Sequence, residues 1–91
     1  MKFIEWDSEK NEWLKKERAV CFEDVITAIE EGDLLETRAH PNQDKYSGQK
    51  QFIILINNYV HIAPFVENKE RLFLKTLFRS RVENEKYFND K

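Results

Sequence analysis

Cysteine occurs once in this chain, at Cys21, and glycine and proline twice each among 91 residues. A lone thiol excludes a small domain stapled by disulfides, whose cysteines come as an even set, and no Cys/His pair has the spacing of a zinc site. The chain is therefore expected to need no structural metal or cofactor and to belong in a reducing compartment, the cytoplasm. Long apolar runs are also missing. Nothing approaches the roughly 18 residues of a membrane span, and Lys, Glu and Asp interrupt the N-terminal stretch where a signal-peptide core would lie. Nor is there a basic excess. With 15 Lys and Arg against 17 Asp and Glu the formal net charge is −2, which argues against bulk attraction to nucleic acid but leaves room for a local basic patch. Acidic residues dominate Glu23 to Glu36, whereas Lys69, Arg71, Lys75, Arg79 and Arg81 gather near the end.

What the chain does have is bulk for a core, with 13% aromatic residues. Its length fits one small domain over residues 1–91, because chains below roughly 100 residues bury too little apolar surface for two cores. Lys2 to Glu5 reads as a first strand, and Asp7 as the N-cap of a helix from Ser8 to Arg18 with Trp13 and Leu14 on its buried side. A second helix is expected from Phe22 to Glu31, where Phe22, Val25, Ile26 and Ile29 recur at helical spacing and Gly32 can cap the end. The period then changes to alternation. Strands are expected over Asp33–Ala39, Lys50–Ile56, Tyr59–Val66 and Arg71–Arg79, with a loop from His40 to Gly48, a tight turn at Asn57-Asn58 and a closing helix from Ser80 to Phe88. Pro64 has no N–H for a ladder and so predicts an edge strand or a bulge. The fold class is α+β, in the order β-α-α-β-β-β-β-α, with two helices on one face of an antiparallel sheet.

Several short motifs lie in one order along the chain: Ile4-Glu5-Trp6-Asp7 with Lys10, Val20-Cys21-Phe22-Glu23, His40-Pro41-Asn42, Tyr46-x-Gly48-Gln49, Pro64-Phe65-Val66, and Leu74-Lys75-Thr76 followed by Ser80-Arg81 and Tyr87. This series resembles the BrnT-like toxins, the RNA-cleaving half of a bacterial type II toxin–antitoxin pair. The resemblance implies a RelE-like fold, metal-independent RNA cleavage that inhibits translation and growth, and neutralisation by a cognate antitoxin of ribbon-helix-helix type. The chain would then act as a homodimer or within a toxin–antitoxin heterotetramer, without a membrane. Two departures remove positive charge. Glu17-Arg18 stands where the family usually has Lys-His, and Val82-Glu83-Asn84-Glu85 replaces the usual basic stretch after Ser-Arg. They favour a second reading, a non-catalytic interaction module that keeps the fold and the antitoxin contact.

Cleavage by attack of the 2′-hydroxyl requires a base, a cation for the phosphorane and an acid for the leaving oxygen. Arg79 and Arg81, with Lys75 third, are the candidates for the cation, since fixed cations gain strength in a partly dry site as charge develops. On a regular last strand Arg71, Phe73, Lys75, Leu77 and Arg79 share one side and Leu72, Leu74 and Phe78 the other, which would line the basic residues along the open face. A solvated strand face that discourages edge association accounts for the same residues. His61 and His40 are the two candidates for acid or base, His40 being also placed to make only local loop hydrogen bonds, and for His61 the register decides. A two- or four-residue turn at Asn68-Lys69 puts it opposite Thr76 on the Leu72 and Leu74 face, as a core histidine; a three-residue turn or a bulge puts it beside Lys75 and Leu77. Tyr87 either reaches the site as an acid or packs its ring and leaves its hydroxyl in water. His40, Lys45, Tyr46 and Arg71 are the candidates for RNA binding, with Tyr46 able to stack on a base and His40 equally able to make only local loop hydrogen bonds. Trp6, Trp13 and Phe22 read as core, and Cys21 as buried and inert.

Overall fold

The computed structural model describes residues 2–88, which form an α+β domain of three helices and a six-stranded, mostly antiparallel sheet. Strand β1 is Phe3–Glu5, and the two helices that follow are α1, Ser8–Arg18, and α2, Phe22–Glu30. The Asp7 carboxylate accepts from the Glu9 N–H at 2.8 Å and starts α1. Ala19 ends it in the left-handed conformation at φ 58°.

Cys21, where a better cap would have an oxygen, starts α2 with help from outside. Asn11, buried on α1, accepts from the Phe22 N–H at 2.7 Å through Oδ1 and donates to Glu23 at 2.8 Å. The Asp24 carboxylate accepts from the Cys21 N–H at 2.9 Å. The first helix thus supplies the acceptor that the thiol lacks. Cys21 itself is half-buried rather than fully buried. Gly32, at φ 84°, closes α2, and the Asp33 N–H reaches the Ala28 carbonyl at 2.8 Å.

The remaining strands are β2, Leu34–Ala39, β3, Lys50–Ile56, β4, Tyr59–Glu67, β5, Arg71–Leu74, and the short β6, Phe78–Arg79; helix α3, Arg81–Phe88, follows. Asn57 and Asn58, at φ 53° and 62°, make the β3–β4 turn. The order across the sheet is β1-β5-β4-β3-β2, with β6 beside β4 and β1 parallel to β5. One face packs Phe52, Ile54, Ala63, Phe65, Leu72, Leu74 and Leu77 against Leu14, Phe22, Val25 and Ala28 of α1 and α2. On the other face Ile53, Val60 and Ile62 meet Leu55, Phe78 and Tyr87. β3 is thus apolar on both sides because both are covered.

The expected last strand, Arg71 to Arg79, is broken at Lys75–Leu77. Between the pairs Phe65–Leu74 and Ile62–Phe78, β4 advances three residues and its neighbour four. A surplus of one residue reverses parity. Leu77, expected beside Arg71 and Phe73, enters the core with Leu72 and Leu74. Pro64 explains the position of the break. It lies in the central strand rather than at an edge, and its carbonyl accepts from the Lys75 N–H at 2.8 Å. In an antiparallel strand a residue's N–H and C=O point to the same side, so the missing donor of Pro64 faces the interruption and no ladder bond is lost.

Candidate functional site

The parity change decides where the basic residues go. His61 on β4 lies on the Leu72 and Leu74 face, as expected for the four-residue turn that follows Glu67, but its cross-strand partner is Arg79 on β6, not Thr76. Together with Phe78 and the α1–α2 junction, Lys16 to Val20, these two line an open cleft of about 550 Å³. Ala19, in the left-handed conformation, stands at that junction and lines the cleft with its neighbours. Lys16, Arg18 and Arg79 bring three cations to this cleft against one carboxylate, Glu17. None of the three takes part in a salt bridge among the described residues. Positive charge is therefore concentrated locally on an acidic chain, and low-dielectric walls strengthen such a field.

His61 is 2% exposed and lines the cleft. Its Nδ1 lies 2.8 Å from the Tyr59 carbonyl. A carbonyl only accepts, so in the neutral ring Nδ1 carries the proton and Nε2 keeps its lone pair. Burial pushes the imidazole below its ordinary pKa, and the charge of Arg79 pushes the same way, against the opposing Tyr59 carbonyl. The neutral, proton-accepting form is therefore favoured near neutrality. The exposed Arg79 guanidinium lies 5.0 Å from the centre of the Tyr59 ring, a cation–π contact that steadies it. A proton acceptor and a guanidinium on one wall can deprotonate a hydroxyl and hold a phosphate.

The other candidates are not brought to this cleft. Arg71 pairs with Glu5, on the sheet face that also carries Phe73. The stripe expected from Arg71 through Lys75 to Arg79 is thus split by the break. Lys75 sits within that break, exposed, with its ammonium 5.9 Å from the Phe73 ring centre. Arg81 opens α3 with its side chain 84% exposed and 3.7 Å from Glu85. Tyr87 packs its ring beside Ile53, Val60 and Ile62, and its hydroxyl is not left to water: it donates to Glu36 at 2.6 Å, which raises its pKa. In the loop, His40 accepts from the Asn42 N–H at 3.0 Å and its ring lies 4.3 Å from that of Tyr46. Lys45 lies over the same tyrosine at 5.4 Å.

Arg18 and Lys16 escaped the sequence reading, because only folding carries the end of α1 to β6. The available signals were their position beside the helix break and, for Arg18, its place where the resembled family has Lys-His. Arg38 was missed as well. Its guanidinium bonds Glu83 at 2.7 Å and Gln51 at 3.3 Å and ties α3 to the sheet. Among the described residues no helix is long and apolar enough to cross a membrane. Comparison with protein-family models, curated proteins and solved structures finds no match.

Proposed function

We propose that this chain is a metal-independent endoribonuclease of the BrnT-like, RelE-like toxin type, held inactive by a cognate ribbon-helix-helix antitoxin. The carrying observation is the His61–Arg79 cross-strand pair in a cleft whose cations are not neutralised. In this reading Nε2 of His61 takes the proton of an RNA 2′-hydroxyl, and the oxygen attacks the adjacent phosphorus. Arg79 stabilises the phosphorane with two parallel donors, while Lys16 and Arg18 hold neighbouring phosphates. The bond to the 5′-oxygen breaks, that oxygen takes a proton from water admitted by the open cleft, the hydroxide so formed recovers the proton held by His61, and a 2′,3′-cyclic phosphate remains. Lys75, Arg81, Lys45 and Arg71 contribute at most distant phosphate contacts.

The test is expression of the chain alone and with its neighbouring open reading frame, followed by cleavage of RNA in EDTA. Growth arrest relieved by the neighbour, with cyclic-phosphate ends on the cut RNA, is expected; intact RNA and normal growth would overturn the reading.

A second reading, a non-catalytic module that binds an antitoxin or regulator, is favoured by a different observation. Arg38, Arg71 and Arg81 all face carboxylates of this same chain, at Glu83, Glu5 and Glu85. Co-purification with the neighbouring protein while RNA stays intact would select it.

A further inference from the structure

Helical spacing assigns Trp13 to the core, yet Trp13 is 41% exposed, and the buried residues of α1 are Asn11 and Leu14. A single exposed aromatic residue needs no explanation, but this one is set among charges. The Lys10 ammonium lies 4.3 Å from its ring centre and the Arg18 guanidinium carbon 4.7 Å. Arg18 is fixed from its other side. Its Nη1 donates to the Leu77 carbonyl at 2.8 Å, within the strand break, so one guanidinium connects the tryptophan ring to the wall of the cleft. Like Lys16, Arg18 and Arg79, Lys10 takes part in no salt bridge among the described residues, whereas its helix neighbour Lys15 is paired with Glu12.

A part-exposed aromatic ring, cations beside it that form no salt bridge among the described residues, and continuity through Arg18 with the cleft are what a single nucleic-acid strand uses: the base stacks and the flanking phosphates find charge. We infer that Trp13, with Lys10 and Arg18, forms a base-stacking subsite for single-stranded RNA on the outer side of α1 and leads the strand into the cleft at His61 and Arg79. This rests on the RNA reading of the cleft. Lys10, on its flexible stem, is the group that a base displaces from the ring, and it moves to the adjoining phosphate. Arg18 stays in place because Leu77 holds it.

The probe is a short single-stranded 2′-O-methyl oligoribonucleotide, which binds but has no free nucleophile. Saturable quenching of tryptophan emission is expected in the native protein and not in Trp13→Phe, since Trp6 is partly buried and stacked on Phe22. Affinity should fall roughly tenfold in Trp13→Leu, which keeps apolar bulk without a π face, and much less in Trp13→Phe. Lys10→Ala should lower the slope of log affinity against log salt by about 0.7. Undiminished affinity in Trp13→Leu, or no binding by the native protein, overturns the subsite. Binding through Trp13 with no cleavage of unmodified RNA would leave the subsite standing and sink the ribonuclease, whereas normal cleavage with undiminished Trp13→Leu affinity would sink the subsite alone.

Discussion

His61 and Arg79 sit opposite each other across β4 and β6, so a buried imidazole and an exposed guanidinium share one wall of the cleft. The arrangement couples the proton affinity of the first to the charge of the second. Burial and Arg79 both hold the His61 pKa below its ordinary 6.5. The folded protein then binds fewer protons than the unfolded chain in the interval just under 6.5. His61's contribution to stability is complete above that value and is lost as pH falls through the lowered one. Melting temperature should accordingly drop as pH falls below about 6.5, and His61→Asn should flatten that slope. Glu23 and Glu67 act lower, since both have values reduced from 4.5 by hydrogen bonds, the first from Asn11 and the second from Lys2 and Lys50. An unchanged slope in His61→Asn would show that the ring is not the group titrating.

Arg79 and Arg81 are only two residues apart, but the structure gives them different surroundings. Arg79→Ala should lower single-turnover RNA cleavage by roughly a hundredfold or more, the scale of losing one oxyanion-type donor. Arg79→Lys should also be harmful, because it loses the planar two-donor fork. Arg81→Ala should leave cleavage nearly unchanged. Neither change should move stability by more than about 1 kcal/mol. Equal losses in both alanine variants would place the reacting phosphate at the start of α3 instead.

Arg38 and Glu83 hold α3 on the sheet. The Glu83 side chain is 9% exposed; its Oε2 accepts from Arg38, while its Oε1 has no hydrogen-bond partner among the described residues and only the Lys86 ammonium near it, at 3.8 Å. Arg38→Met would strand that carboxylate and should destabilise the fold by about 3 kcal/mol. Arg38→Met combined with Glu83→Leu should recover much of the loss, because two apolar groups remove both desolvation penalties. Denaturant midpoints of the two singles and the double check this, and strict additivity would contradict the pairing.

Ala19 is the weak point of the helix junction. Its φ of 58° is left-handed, where a Cβ costs roughly 1 kcal/mol and glycine pays no such penalty. Ala19→Gly should raise the denaturant midpoint by an amount equivalent to about 0.5–1 kcal/mol. A lower midpoint would mean that the entropy gained by the unfolded chain outweighs the relieved strain.

Much of the scaffold is local and so was legible in the sequence. The start of α1 follows from Asp7, and the β3–β4 turn follows from Asn57-Asn58, because a side-chain cap and a positive φ are properties of a few neighbouring residues. The two-sided burial of β3 was equally legible in its unbroken apolar run. The parallel pairing of β1 with β5 was not, since no local pattern in Phe3–Glu5 names a partner 68 positions away.

The candidate site was legible only as a choice of residue types. Which of them meet was decided by one surplus residue in Lys75–Leu77, opposite the missing donor of Pro64. Alternation carries facing along a strand only while the ladder is unbroken, and a single extra residue reverses it for everything beyond. That reversal placed Leu77 in the core and Arg79 beside His61, and it separated Arg79 from Arg71. Trp13 shows the same limit on a helix. Its spacing gave it an apolar side, but the residues that α1 buries are Asn11 and Leu14, and two cations lie near the ring in place of a core. The sequence by itself determined the elements and the chemistry available to them; only the tertiary structure decided which side chains share a surface, because that depends on register and on which strands are neighbours, and both are set by contacts between residues far apart in the chain.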